Sequence, residues 1–572
     1  MSAIRVSTLD ELKEKGQIVT TKGPVPIVVF YDQGQVHAVD NRCPHMGFPL
    51  HRGTVQDGIL TCHWHHARFD LHSGCTFDLF ADDVTAYPAE VRNGTVYVQV
   101  QGSTRDPLAY GRQRLQEGME QNIRLVIAKA VVQLLQAGAS IDELARQGSL
   151  YGTTHRRAGW GPGLTIMTAM ANVADHLNDE QRIAPLYQGL LQVANDTAGQ
   201  PPKFALQPLD SQTVSLETLE RWFRKVVEVR DVDGAERCLL TAIQRGAADG
   251  DLAAMLLGAA SDHFYLDGGH TVDFINKAFE LLDRIGWDQA EIILPSLVRQ
   301  LCQAQRSEEI NAWRHPVDLV ELLEGSFARL DHLQAQGGHA SWDQPDDFID
   351  ELLQDDPQAV IAALEEALGQ GAQAVQLAQA VAAAAAHRLV HFHVQNEFAD
   401  WIGVLHTYTY ANAVHQLLKR TTAPHLLRAV FHGAAQVYLD RFLNVPPARL
   451  PKSTVVSTNF HGDFLDLLDN QQQVDRAGQW VYSYLAEGGD AQQLFATLAQ
   501  SLLREDAEFH SFQMLEAAIR QYGELADPEE QRLALVAAAR YLAAHAPTQR
   551  ELLQTLRIAL RLHRGEAVFE EE

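Results

Sequence analysis

Cys43-Pro44-His45 and Cys62-His63-Trp64-His65 constrain this chain more than any other feature. Each segment carries one thiol and one imidazole at ligand spacing, and sixteen residues lie between the two pairs. Two Cys and two His satisfy tetrahedral zinc. They equally satisfy a [2Fe–2S] cluster in which one iron takes two thiolates and the other two imidazoles. Zinc fingers pair Cys with Cys and His with His. Here each segment mixes the two, so each can reach across both irons. Cys43, His45, Cys62 and His65 are therefore expected to hold one [2Fe–2S] cluster and to move electrons one at a time.

The flanking residues agree. Gly47 and Gly58 suit tight loops in which the backbone comes close to sulfide. Ile27–Tyr31, Val36–Val39 and Ile59–Thr61 read as short strands, and Asn93-Gly94 as the turn of a hairpin over Val91–Val98. Cys-x-x-His spacing selects His65 over its neighbours His63 and His66, which are expected to face solvent or a partner. With these motifs, roughly residues 4–101 resemble the Rieske ferredoxin family. The resemblance implies a small antiparallel β domain with two ligand loops.

At 572 residues the chain is too long for a single core. Cys75, Cys238 and Cys302 are scattered, so no disulfide framework is expected, and a reducing cytoplasmic location fits. Residues 1–16 are polar and charged, without a secretory h-region. The most apolar stretch, Leu377 to Ala386, is too short and too rich in alanine to span a bilayer. A net charge of −27 argues against nucleic acid and favours a basic electron donor.

We read residues 1–101 as the cluster domain, 102–114 as a linker and 115–572 as an all-α domain, with two subdomains an option. Beyond the linker the apolar period changes from two to 3.6, as in Leu125–Leu135. The fold class expected is multidomain: a small all-β domain, then a large all-α one. His270-Thr271, with Asn276, echoes His406-Thr407, with Asn412, at an offset of 136 residues. Each His-Thr step is expected to open a helical hairpin, with a weaker third copy near Gly161. Repeated His and Asn are polar, which packing alone does not require. His270 and His406 are thus the candidate catalytic residues.

Seven histidines fall between residues 387 and 432: His387, His391, His393, His406, His415, His425 and His432. His387 and His391 are four apart and on one helix face would chelate a metal. His393 and Glu397 share the same spacing on another face. Chance helical pairs are common, and nearby aromatics suit an organic-ligand pocket equally well. His263, beside His270, is a comparable candidate. His155, at an expected helix start, faces the same cavity or, with Arg156 and Arg157, makes an anion-binding corner. The His-started hairpins around His270 and His406, and the helical character of residues 115–560, resemble questin oxidase-like proteins. That resemblance implies oxidation of a hydrophobic organic substrate.

The favoured function is an oxidoreductase of oxygenase type, in which the cluster feeds electrons to a site in the helical domain. An external flavin reductase or ferredoxin would be the donor. The alternative is a redox-sensing or partner-binding protein with no catalytic site in its helices. A ring-hydroxylating oxygenase ranks last, since neither its Asp-x-x-His-x-x-x-x-His type motif nor its strands follow residue 101. The sequence names neither a second cofactor nor an oligomeric state.

The resemblance also bears on the potential. Rieske proteins of respiratory cytochrome bc complexes carry two extra cysteines, a Ser and a Tyr around the cluster. This chain has Phe48, Trp64, Ala67 and Phe69 there. Without those hydrogen bonds to sulfur the extra electron is less favoured. A redox titration should give a midpoint toward the low end of the roughly −150 to +300 mV Rieske span; a strongly positive value would refute this.

Overall fold

The computed structural model describes residues 3–23, 25–100, 106–210, 213–309, 317–338, 341–455, 457–566 and 568. The chain divides into two compact units, residues 1–140 with 551–572, and residues 141–550.

The first unit begins with ten short strands: β1 (Ala3–Thr8), β2 (Gln17–Thr20), β3 (Ile27–Asp32), β4 (Gln35–Asp40), β5 (Thr54–Gln56), β6 (Ile59–Thr61), β7 (Arg68–Asp70), β8 (Ala86–Tyr87), β9 (Ala89–Arg92) and β10 (Thr95–Gln99). They form three antiparallel sheets, ordered β1-β10-β9, β2-β3-β4-β8 and β5-β6-β7. The expected strands and hairpin are present, and Asn93 and Gly94 both adopt positive φ as the two-residue turn requires. Strand β3 is buried on both faces, and alternation divides its side chains between two cores. Val28 and Phe30 join Cys43, Leu60, Cys62 and Phe69. Ile27 and Val29 join Leu12, Val96 and Val98.

A helix spans Pro107–Glu120, beginning within the 102–114 stretch read as linker and running past its end, while residues 102–105 of that stretch lie outside the described residues. Asp106 accepts from the Leu108 amide at 3.0 Å and Pro107 fills the first turn, so the helix starts there. It pairs with helix Arg124–Gln136, on which the C-terminal helix Glu551–His563 also packs. Hence the first unit extends to residue 140 and reclaims the C-terminal end of the chain. The expected boundary at residue 101 falls inside it.

The second unit is built of helices and their connections, with no strand among its described residues. At its centre lie helices His270–Ile285, Phe398–Leu418 and Phe509–Glu524, with Pro162–Ala174 against two of them. The alanine run belongs to helix Ala374–Val390, whose small side chains are buried against the Phe398–Leu418 helix. Among the described residues no helix is long and apolar enough to cross a membrane.

An ionic seam runs through this core. Lys277 is fully buried, donates to Glu280 Oε2 at 2.9 Å and pairs with Glu516. Asn172 Nδ2 closes the group, at 2.8 Å from Glu280 and 3.0 Å from Glu516. Burial pushes the Glu280 carboxyl up, but the Lys277 ammonium outweighs it and holds the group down at about 2, against an ordinary 4.5. A buried pair that loses one partner leaves a stranded charge, so Lys277→Ala should cost the helical unit about 3–5 kcal/mol in urea unfolding. Because the folded value is depressed, the contribution of Glu280 is complete above about 4.5 and is lost as pH falls toward 2. Glu280→Gln should therefore show a shallower loss of stability with acid across that window, by up to one proton in the slope.

Candidate functional sites

In the first unit the loops after β4 and β6 bring four side chains together. The first loop closes on itself through Gly47 N to Cys43 O, 2.7 Å, and Cys43 N to Phe48 O, 2.8 Å. Gly47 has φ +81°, the left-handed region that favours glycine. The second closes through Cys62 N to Ala67 O, 2.8 Å. Cys43 and Cys62 are buried and their thiols contact each other. That contact pushes the Cys43 thiol up and the Cys62 thiol down. The amides of His45 and Met46 donate to the Cys43 sulfur, and those of Trp64 and His65 to the Cys62 sulfur.

The His45 and His65 rings lie 4.7 Å apart, and Phe80 packs 5.0 Å from His45. Burial, then His65 and Lys129, push His45 down to about 4, which keeps its ring neutral. His45 Nδ1 is buried and has no partner. Two thiols in contact, two adjacent imidazoles and one orphaned ring nitrogen fit the donor set of a [2Fe–2S] cluster with Cys on one iron and His on the other. His63, His65 and His66 are all exposed. Phe48 and Trp64 face each other across the two loops, ring centres 6.0 Å apart. Trp64, Phe77 and Leu79 leave apolar surface exposed in this part of the unit.

Residues 2–88 match the Rieske [2Fe-2S] domain family. The 3-phenylpropionate/cinnamic acid dioxygenase ferredoxin subunit of Photorhabdus laumondii is 33% identical over 102 residues, 18% of this chain and 96% of that one. The chain belongs to the Rieske [2Fe-2S] family. A human Rieske domain-containing protein is 32% identical over 77 residues, 13% of this chain and 49% of the relative, so the chain spans about half its length. The solved ferredoxin of carbazole 1,9a-dioxygenase from Nocardioides aromaticivorans IC177 is 27% identical, covering 18% of this chain and 100% of that one, with a TM-score of 0.17. The Rieske domain thus carries the family's electron-transfer chemistry with one [2Fe–2S] cluster.

In the helical unit His270, His406 and His510 converge from the three central helices. One nitrogen from each lies within 4.8 Å of the other two. Ring centres are 4.3 Å apart for His270 and His406, 4.8 Å for His406 and His510. His406 Nε2 and His510 Nε2 share a hydrogen bond of 2.9 Å. Burial, then the neighbouring imidazoles, push His270 to about 4 and His406 to about 3. Glu508 Oε2 lies 2.6 Å from His510 Nδ1 and fixes that ring. The approach to His270 is strained: Tyr265, Asp267, Gly268 and Gly269 all have φ between +47° and +92°. Beside the group opens a cavity of ≈450 Å³, walled by Trp160, Phe274 and Phe509, with Arg156 and Arg299 among its cations.

The structure corrects several placements. His406 lies well inside helix Phe398–Leu418 and opens no hairpin, because Asp400 accepts from the Glu397 amide at 3.0 Å and starts the helix earlier. His155 follows the end of helix Ile141–Thr154, stacked on Tyr151. Arg156 donates to Gly159 O and Trp160 O. His393 and Glu397 lie between helices, so no helical face joins them. His387 bonds Glu530 at 2.9 Å and His391 bonds Ala448 O at 3.0 Å, their rings 6.3 Å apart. His263 lies 2.9 Å from Glu228. The histidine missed from sequence is His510. Its signal was a repeat: His-Thr/Ser followed by a polar residue at the third and sixth places, Asp273 and Asn276, Thr409 and Asn412, Gln513 and Glu516. The weaker copy near Gly161 supplies a helix to the same core but no histidine.

Proposed function

We propose that this chain is a two-part oxidoreductase. Cys43, His45, Cys62 and His65 hold the cluster, and the helical unit oxidises an organic substrate beside His270, His406 and His510. When bound, the cluster supplies one-electron transfer. The observation that supports the second half is the three-imidazole group, two of whose members, His270 and His510, line a cavity walled in part by aromatic rings. Three imidazoles with Glu508 behind one of them can bind a transition metal ion and leave positions open toward the cavity. This reading favours the three-histidine group, whose nitrogens lie within 4.8 Å of one another, over His387 and His391, whose rings are 6.3 Å apart. Trp160, Phe274 and Phe509 supply flat apolar walls for the substrate, and the cavity volume suits a small organic molecule. Fusion of the two parts raises the effective concentration of donor for acceptor. An external reductase, of flavin or ferredoxin type, would reload the Rieske domain, and the exposed Trp64, Phe77 and Leu79 offer it apolar surface to dock on.

Metal and sulfide analysis of anaerobically purified protein, with EPR after reduction, is the first test. About two irons and two sulfides belong to the cluster, and any further metal belongs to the helical unit. His65→Ala should abolish the Rieske signal. His406→Ala should keep it while losing the further metal and substrate oxidation. Wild-type protein with cluster alone, whose partner binding tracks reduction without turnover, would instead establish the redox-sensing reading.

A further inference from the structure

Helix Arg124–Gln136 lies beyond residues 2–88, yet it reaches the first ligand loop. Lys129 Nζ donates to Pro44 O at 2.7 Å, and the lysine side chain is only 11% exposed. Pro44 stands between Cys43 and His45. The peptide that begins at its carbonyl ends at the His45 amide, which donates to the Cys43 sulfur. One peptide group is therefore bonded at both ends, an ammonium on its oxygen and a sulfur at its N–H. A cation at the oxygen polarises the peptide and strengthens the N–H as a donor.

Asp82 is paired with this lysine. Its carboxylate is shared with Arg114, whose Nε lies 2.9 Å from Oδ1 and whose Nη2 holds Leu79 O and Ala81 O at 3.0 and 3.1 Å. Arg114 also pairs with Glu117, so two cations face two carboxylates, and Lys129 is the cation bonded to the loop, through Pro44 O. The helix bearing Lys129 is held in turn by Glu551–His563, and the segment after that helix grips the same loop. Arg42, next to Cys43, donates to Gly565 O at 2.8 Å, and Leu562 packs over Gly47.

We propose that Lys129 is a positioning residue that stabilises the reduced cluster through the Pro44–His45 peptide. The proposal rests on the cluster reading above. Reduction adds negative charge, so a fixed cation and a stronger N–H···S bond both favour the reduced form. The bland role for Lys129 is to satisfy buried Asp82, and that role would change stability while leaving the potential unchanged.

The test uses full-length protein loaded with cluster, its midpoint measured by mediated titration followed by EPR. Lys129→Gln should titrate at a lower potential than wild type, and Lys129→Arg should restore most of the difference. Since Lys129 is shielded from solvent, the shift should persist at high salt, where an exposed charge would be screened. A Lys129→Gln protein with its iron and sulfide intact and an unchanged midpoint overturns the proposal. Should that variant not fold, Asp82→Asn leaves the ammonium unopposed and should raise the midpoint; an unchanged value there overturns it equally. Wild-type protein without iron and sulfide would sink the cluster reading itself, a different result.

Discussion

A polar group taken from water into an apolar interior is costly unless it meets another polar group. Both units are organised around that cost. In the Rieske domain two thiols, two imidazoles and a ring of backbone amides meet at the tips of two loops, while β3 fills the apolar cores on either side. In the helical unit, Lys277, Glu280, Glu516 and Asn172 satisfy one another within a core otherwise mostly apolar. Neither group could be assembled one residue at a time, because each member without the rest would be a buried liability.

The helical unit repeats this solution along its axis. His270, Asp273 and Lys277 follow one another on one helix, and His510, Gln513 and Glu516 on another. Spacings of three and four residues place each set on one face. The imidazoles lie at one end of this stripe and the ion pairs further along it. Sequence repetition therefore carries a polar stripe in place of the usual apolar one, and the three helices close around it. The strained turn ahead of His270 places that ring at the helix start, where the stripe meets the cavity.

The first unit shows a different economy. A Rieske domain is small, and here two helices after it and one from the end of the chain are added to it. Their charged residues act on its loops: Arg114 holds the 79–82 segment, Lys129 the Pro44 carbonyl, and the segment after the last helix holds Arg42. The segment 79–82 also carries Phe80, which packs on His45. A domain that spans 96% of a ferredoxin subunit elsewhere is thus buttressed from outside its own β framework.

Much of this was legible. Cysteine and histidine spacing pointed to the cluster, because ligand geometry requires particular atoms at short range in the chain. Period two and period 3.6 separated the strands from the helices, because each follows from local backbone geometry. The pairing of His270 with His406 showed as a repeat. The sequence by itself thus determined the ligand chemistry of the Rieske loops and the β class of the Rieske domain and α class of the helical unit. What it did not carry was contact between residues far apart in the chain. His510 joins His406 across 104 residues, and Lys129 meets Pro44 across 85. The return of the last helix to the first unit is longer still. Such contacts are fixed by which buried faces exclude water together, and that is a property of the whole packed chain that only the tertiary structure decides.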